Sequence, residues 1–193
     1  MATVSGNTEA YVSAGKPKIA GAVYVGATTL SLPADATTTL ASGFVCLGYC
    51  SEDGVTNTTE GDTEEVKAWG GDTVLVIEDD KTDAFQMTFI EALNVNVLKE
   101  VYGASNVSGT LESGITVQAN ALAHEARAWV IDQILKGSAL KRIVIPKGTI
   151  TEVGDIVYQD GNPIGYPVTI TCAADGSGNY HYEYIKAAYS SGT

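Results

Sequence analysis

Few residues of this chain have the types and spacings that catalysis or metal binding requires. The only histidines are His124 and His181, and no nucleophile or further metal ligand stands at a useful spacing from the His124-Glu125 pair. The chain contains no GxSxG, P-loop or HExxH pattern, and these patterns place a nucleophile, a phosphate-binding loop or a zinc ligand pair. We therefore expect no enzyme, no cofactor and no metal, with His124 and Glu125 at surface or hydrogen-bonded positions.

The cysteines Cys46, Cys50 and Cys172 are equally unsuited to a cross-link. Cys46 and Cys50 lie four positions apart in an apolar segment, which on one strand separates their Cα atoms by about 13 Å. A disulfide requires Cα atoms within about 7 Å of each other. The odd number of cysteines and their spacing do not match a zinc site either. We predict three buried free thiols in a reducing cytoplasm.

Composition narrows the class of protein further. The chain has 193 residues, 45% of them hydrophobic, and 23 acidic against 11 basic residues give a net charge of -12. This length and apolar content suit one domain with a core, while the acidity disfavours tight nucleic-acid binding. The sequence has no apolar run of 18 residues and no charged-then-apolar start, so we expect neither a membrane span nor a secretory signal.

The segment from Phe44 to Gly103 organises the chain. Phe44 to Cys50 is apolar or small on both faces, which predicts a strand that is covered on both sides. Ser51 to Gly71 is polar and acidic, and its length predicts a loop with a function or a merely solvated loop. Trp69 favours the first alternative, because its large apolar surface would be wasted in solvent. We hypothesise that this loop contacts a neighbouring copy of the chain through Glu52, Asp53, Glu60, Asp62, Glu64, Glu65 and Trp69.

Regular structure is predicted after this acidic loop. Thr73 to Glu78 is a β-branched run, Asp79 to Asp83 is polar, and apolar residues alternate from Phe85 to Phe89. This pattern predicts a hairpin that turns at Asp79 to Asp83 and has one core face.

A short helix is predicted over residues 94–102. Asn94 or Asn96 can act as the N-cap and Gly103 as the C-cap. Because so short a helix is unstable alone in water, it must pack on a sheet through two i,i+4 pairs, formed by Val97, Leu98, Val101 and Tyr102.

The C-terminal half is predicted to be mainly β. Alternation between Ile164 and Cys172 is the cleanest period of two in the chain. Residues 115–135 are ambiguous, since their alanine content favours helix whereas Trp129-Val130-Ile131 favours strand.

Two long segments carry a resemblance to a known family. The run SEDGVTNTTEGDTEEVKAWGGDTV, followed by the helix end LKEVYG, resembles the major tail tube proteins of long-tailed (siphovirus-type) bacteriophages. The run LKRIVIPKGTITEVGDIVYQDGNPIGYPVTITCAADGSG is similar to the C-terminal part of that family, and together the matches span about residues 44–178. The resemblance implies a mainly β fold, a β-sandwich or barrel with one short flanking α-helix and extended loop and terminal arms. It also implies a strand at Arg127 to Lys136, and on this ground we expect strands over 115–135.

The resemblance also implies a function and partners. Six copies would form a ring, and stacked rings would form the tube through which double-stranded DNA passes without specific binding. Tape-measure, tail-terminator and tail-tip proteins would be further partners, and the protein would be assembled in the host cytoplasm into the virion. We expect an N-terminal arm at 1–18, a tail-tube β domain at 19–188 with an acidic stacking loop at 51–71, and a C-terminal tail at 189–193. The alternative class is a secreted or virion-displayed β-sandwich binding module.

Overall fold

A computed structural model describes residues 6–18 and 22–187, with side chains for all of these except 10, 62 and 78–80. The predicted C-terminal tail at 189–193 and the first five residues of the predicted N-terminal arm lie outside the described residues.

Within the described residues the chain forms eleven β-strands and one α-helix. The elements are β1 (Lys16–Pro17), β2 (Val23–Ala27), β3 (Val45–Cys46), β4 (Cys50–Lys67), β5 (Thr73–Phe89), α1 (Val95–Tyr102), β6 (Val107–Thr110), β7 (Gly114–Val117), β8 (Arg127–Ile134), β9 (Leu140–Val153), β10 (Tyr166–Cys172) and β11 (Tyr182–Lys186).

The principal sheet is antiparallel and runs in the order β3-β2-β8-β9-β10-β5-β4. Strand β9 joins the two halves of this sheet. Its first residues pair with β8 and β11, and its last residues pair with β10. Strands β6 and β7 form a separate hairpin. The fold is mainly β with one short helix, so the predicted fold class is confirmed.

Alternate residues of the central strands build the core. Strand β10 is buried and half-buried in strict alternation, as predicted, and it packs with Phe85, Phe89 and Trp129, all of which are buried. The indole N–H of Trp129 donates to the carbonyl of Gly148 at 3.0 Å, which satisfies the polar atom of this buried ring. The core therefore holds the part of β5 that pairs with β10 in a fixed position.

Helix α1 covers one end of the core. The Asn94 side chain accepts a hydrogen bond from the Asn96 amide at 3.0 Å and caps the first turn. Arg127 of β8 forms an ion pair with Glu100 at 3.2 Å, and burial raises the pKa of the Glu100 carboxyl. Three of the four predicted packing side chains are buried and Tyr102 is half-buried against them, the set being Val97, Leu98, Val101 and Tyr102.

A buried ion pair joins the other face of β8 and β9 to the loop before β3. The guanidinium of Arg142 donates to both carboxylate oxygens of Asp132, at 2.6 and 2.8 Å. The same group donates to the carbonyls of Asp35 and Thr38, at 3.2 and 2.6 Å. These contacts provide acceptors for the N–H groups and a counter-charge for the guanidinium, which would otherwise be costly to bury.

The predicted strand from Phe44 to Cys50 is wrong in its extent and burial. Only Val45–Cys46 is a strand, and the chain then turns at Gly48, whose φ of 74° lies in the left-handed region. Leu47 is buried but Tyr49 is exposed. Because Cys46 and Cys50 do not share one strand, the strand-based spacing between them does not hold. Cys46 and Cys50 are half-buried, and Cys172 alone is buried.

The predicted loop at 51–71 and the predicted turn at 79–83 are both wrong. Residues 50–67 form strand β4, and Thr73–Phe89 is one continuous strand, so the hairpin turns at residues 68–72 instead. The backbone ladder extends through Gly61↔Lys81 and Thr63↔Glu78, with a register shift that absorbs one residue between Gly61 and Thr63. A ladder of this length overrides the turn propensity of the polar residues on it.

Residues 115–135 contain no helix. The segment contributes residues 115–117 of β7 and all of β8. The strands expected over 115–135 do not form at 118–126, where the chain is irregular. The strand expected from the resemblance is therefore confirmed at Arg127–Ile134.

Candidate assembly interface

The most prominent surface feature is a two-stranded arm, which we define as residues 60–82. It is the part of the β4–β5 hairpin beyond the Thr59↔Asp83 pair. Every described side chain of the arm is exposed. Eight residues of β4, from Glu60 to Lys67, extend it by about 26 Å at about 3.3 Å per residue. A hairpin exposed on both faces gains little stability by itself, and most of the surface of this arm is available for contact with another chain.

Asp83 forms side-chain contacts at the root of the arm, where β5 enters the core. This aspartate is buried and accepts hydrogen bonds from the Asn57 side chain at 2.7 Å and from the Thr59 hydroxyl at 3.1 Å. The Nδ1 atom of His181 lies 2.5 Å from its other oxygen. Cys172 lies beside this cluster, and burial, followed by the charge of Asp83, raises the pKa of its thiol to about 12. A thiol with so high a pKa is a poor nucleophile. The contacts of Asp83 join β4, β5 and the residue before β11 at the root of the arm.

The far end of the arm is apolar. Trp69 sits in the turn and is fully exposed, while five aliphatic side chains beside it are between 40% and 63% exposed. Val66 lies directly opposite Leu75, whereas Val74 and Val76 occupy the other face of β5. Apolar surface concentrated in this way marks a protein contact site. We call this set the apolar end: Val66, Trp69, Val74, Leu75, Val76 and Ile77.

The predicted contact carboxylates are spread along β4 and do not form one cluster. Glu52 and Asp53 are exposed at its base, in a stretch where pairing with β5 is interrupted. Glu60 lies at the root of the arm. Glu64 and Glu65 lie near its end, where Glu65 accepts from Thr73 at 3.1 Å and pairs with Lys67 at 3.7 Å. The side chain of Asp62 is outside the described set.

Strand β4 is also an edge of the sheet. Its 18 residues pair with β5 on one side, and no described strand pairs with its other side. A long edge with unpaired amide and carbonyl groups favours pairing with another chain.

The face of the β9-β10-β5-β4 sheet that points away from the core is polar and largely uncharged. Registers place Thr56, Gln86 and Thr169 side by side, and Thr58 and Thr171 one row further on. The Thr151 and Thr171 hydroxyls are hydrogen-bonded at 2.8 Å. We call this the threonine face; Glu60 and Glu152 stand at its margins.

A cleft of about 1010 Å³ opens beside the base of β4. Its floor includes apolar and thiol side chains from β2, β3, β4 and β8, among them Val23, Cys46, Cys50, Val55 and Ile131. Lys18 lines one side, and Glu52 and Asp53 line the other. Burial raises the pKa of the Cys50 thiol to about 11.

The described residues thus present an arm with an exposed apolar end and a long unpaired strand edge, and both features favour contact with another chain. No cluster of potential metal ligands is found among the described residues. The chain matches the family model described as phage tail tube protein over residues 4–192. It therefore belongs to the phage tail tube protein family, and the resemblance seen in the sequence is confirmed. No curated protein matches the chain.

Membership settles several properties. The protein is structural and not an enzyme, it is a component of the virion, and it assembles with other copies of itself into a tube. None of the helices in the described part of the chain is long and apolar enough to span a membrane.

Two features of the interface differ from the prediction. The turn predicted at residues 79–83 includes Asp83, but this residue is buried and has three polar partners. The run from Val74 to Ile77 is predicted to belong to a hairpin with one core face, but it is exposed. One signal was available: apolar residues follow each other there without alternation, and a strand with a single core face alternates.

Proposed function

We propose that this chain forms hexameric rings that stack into the tail tube of a long-tailed phage, and that DNA is ejected through the lumen. The observation that carries the proposal is the family match over nearly the whole chain. The arm and the free edge supply two separate contact surfaces, as a ring that closes and a stack that continues both require.

Within a ring, the free edge of β4 is the proposed contact. Edge-to-edge pairing is heterologous and closes when the rotation between copies permits. Subunits would then continue their sheets around the channel. Hydrogen exchange would show the edge amides of residues 56–59 protected in the tube and less protected in the free subunit; equal exchange in both states would contradict this pairing.

The lumen is proposed to be net negative. Six subunits of charge -12 give -72 per ring, and acidic groups repel the phosphates of passing DNA, so the wall does not capture it. If the sheets line the channel, the threonine face with Glu152 would form the wall. A tube with a channel lined mainly by lysine and arginine would contradict this.

Between rings, the arm is the proposed contact, with Trp69 and its neighbours as anchors and the carboxylates Glu52, Asp53, Glu60, Asp62, Glu64 and Glu65 fixing the register. Tape-measure, tail-terminator and tail-tip proteins would bind the ends and the interior of the finished stack.

A deletion matched to the strand register tests the stacking role. Residues 62–80 are replaced by Asn-Gly, a two-residue turn that suits a hairpin, joining Gly61 to Lys81 across an existing pair. We expect the free subunit to keep its circular dichroism spectrum and melting temperature, because the arm contributes no described side chain to the core. Electron microscopy should show isolated rings or monomers in place of tubes.

Leu111→Ser serves as the control, since Leu111 is an exposed apolar residue in the β6–β7 turn; it should leave tube formation unchanged. Normal tubes from the deletion variant would show that the arm has no stacking role. Featureless monomers from the unmodified protein under all conditions would instead favour a binding module.

A further inference from the structure

We propose that the cleft beside the base of β4 is the receptor for the apolar end of the arm of another copy. This inference rests on the proposed function and adds the surface that receives the arm. The donor and the receptor lie on one chain, so each copy would give its arm to one neighbour and receive the arm of another.

The arm of the same chain cannot fill this cleft. Val55 lines the cleft and Val66 belongs to the apolar end. Eleven residues of the same strand separate them, or about 36 Å at about 3.3 Å per residue. The continuous β4–β5 ladder holds the two apart, so the occupant must come from a second copy.

The chemistry of the two surfaces is complementary. The apolar end needs cover on both faces of its strands, and the cleft offers a recess with apolar floor residues and half-buried thiols. Lys18 is the basic residue of the cleft and its side chain is 39% exposed, although it also pairs with Asp132 at 3.5 Å. It can meet Glu64 or Glu65 of an incoming arm. Glu52 and Asp53 across the cleft can meet Lys67.

The distance between the cleft and the apolar end also predicts the axial spacing of successive subunits. A contact between one end of a subunit and the other end of the next is heterologous, and it propagates as a stack when the rotation between copies does not close it into a ring. If the arm runs along the tube axis, successive subunits are offset by about the 36 Å that separates the cleft from the apolar end. Because neighbouring copies would interlock in this way, removing the apolar end should weaken stacking while leaving the subunit folded.

Native cysteines make the proposal testable without any substitution. Cys46 and Cys50 line the cleft. In tubes of the unmodified protein, both thiols should react with a maleimide at least tenfold more slowly than in the free subunit at the same pH. Equal rates in tube and free subunit would overturn the proposal.

Engineered cysteines test the pairing directly. Leu75→Cys and Val76→Cys lie on opposite faces of the arm, and both positions are exposed, so both variants should fold. On mild oxidation of tubes, one of the two should form intermolecular disulfides with Cys46 or Cys50, giving a ladder on a non-reducing gel. The ladder should disappear when Cys46 and Cys50 are both replaced by serine. Leu111→Cys, on the β6–β7 turn, should give no ladder.

The outcomes separate the two proposals. Tubes whose cleft thiols stay reactive and form no cross-link with either arm position contradict this inference alone. A protein that forms no tubes, purified or with its tail-tip partners, contradicts the proposed function and this inference with it.

Discussion

Asp83→Ala tests how the arm is held. Asp83 is 1% exposed, accepts hydrogen bonds from Asn57 and Thr59, and lies 2.5 Å from Nδ1 of His181. Each hydrogen bond to a charged group contributes about 1.5–3 kcal/mol, and an unsatisfied buried partner adds its own cost. Asn57 keeps a second acceptor, the Ala84 carbonyl at 3.1 Å, so the three contacts do not all count in full. We expect the free energy of unfolding to fall by about 3–5 kcal/mol, the range for removing one partner of a buried charged group.

Urea denaturation of the free subunit measures this change, and a thermal melt should show a drop of about 6–20 °C, at about 2–4 °C per kcal/mol for a chain of this size. Asp53→Ala is the control, because Asp53 is exposed and its recorded partner is the Ser51 hydroxyl at 3.3 Å; its effect should stay within about 0.5 kcal/mol. Asp83→Asn should lose less than Asp83→Ala, since an amide oxygen still accepts from Asn57 and Thr59. A loss below about 1 kcal/mol for Asp83→Ala would refute the anchoring role.

Three further predictions concern the fold. Arg142→Met should cost about 3–5 kcal/mol in urea denaturation because it leaves Asp132 buried without its main partner, and adding Asp132→Leu should recover part of that loss. Gly48→Ala should destabilise more than Gly54→Ala, since φ is positive at both sites but only at position 48 would the new Cβ meet a side chain, the Glu91 carboxylate; equal losses would mean that backbone strain alone decides. The Thr38 hydroxyl and the amides of Thr37 and Thr38 hold the pKa of Asp35 well below its ordinary 3.8, so the unfolded chain takes up this proton first. Stability should therefore fall as the pH drops below about 3.8, and Asp35→Asn should flatten that fall in acid denaturation.

Sequence reasoning succeeded where a local pattern and the tertiary structure agree. The alternation of β10 and the cap and i,i+4 pairs of α1 are both local signals, and the structure shows both elements at those positions. The sequence pattern alone does not identify β8 as a strand. Both of its faces are buried, so its sequence lacks the alternation that identifies a strand with one core face.

Sequence reasoning failed where pairing partners decide the conformation. The polar residues between Ser51 and Lys67 have low strand propensity, yet the ladder with β5 makes them a strand. Likewise, Asp83 was not recognisable as buried, because the three groups that satisfy it come from two other parts of the chain. The cleft is assembled from segments distant in sequence, so no motif could have indicated it.

The measurement that tests the central claim most directly is an electron cryo-microscopy reconstruction of the tubes formed by this protein. We expect stacked rings of six subunits, with density for residues 60–82 leaving one ring and ending in the cleft of a subunit in the next. Rings that stack with the arms free in solvent, or a protein that remains monomeric at all concentrations, would contradict the account.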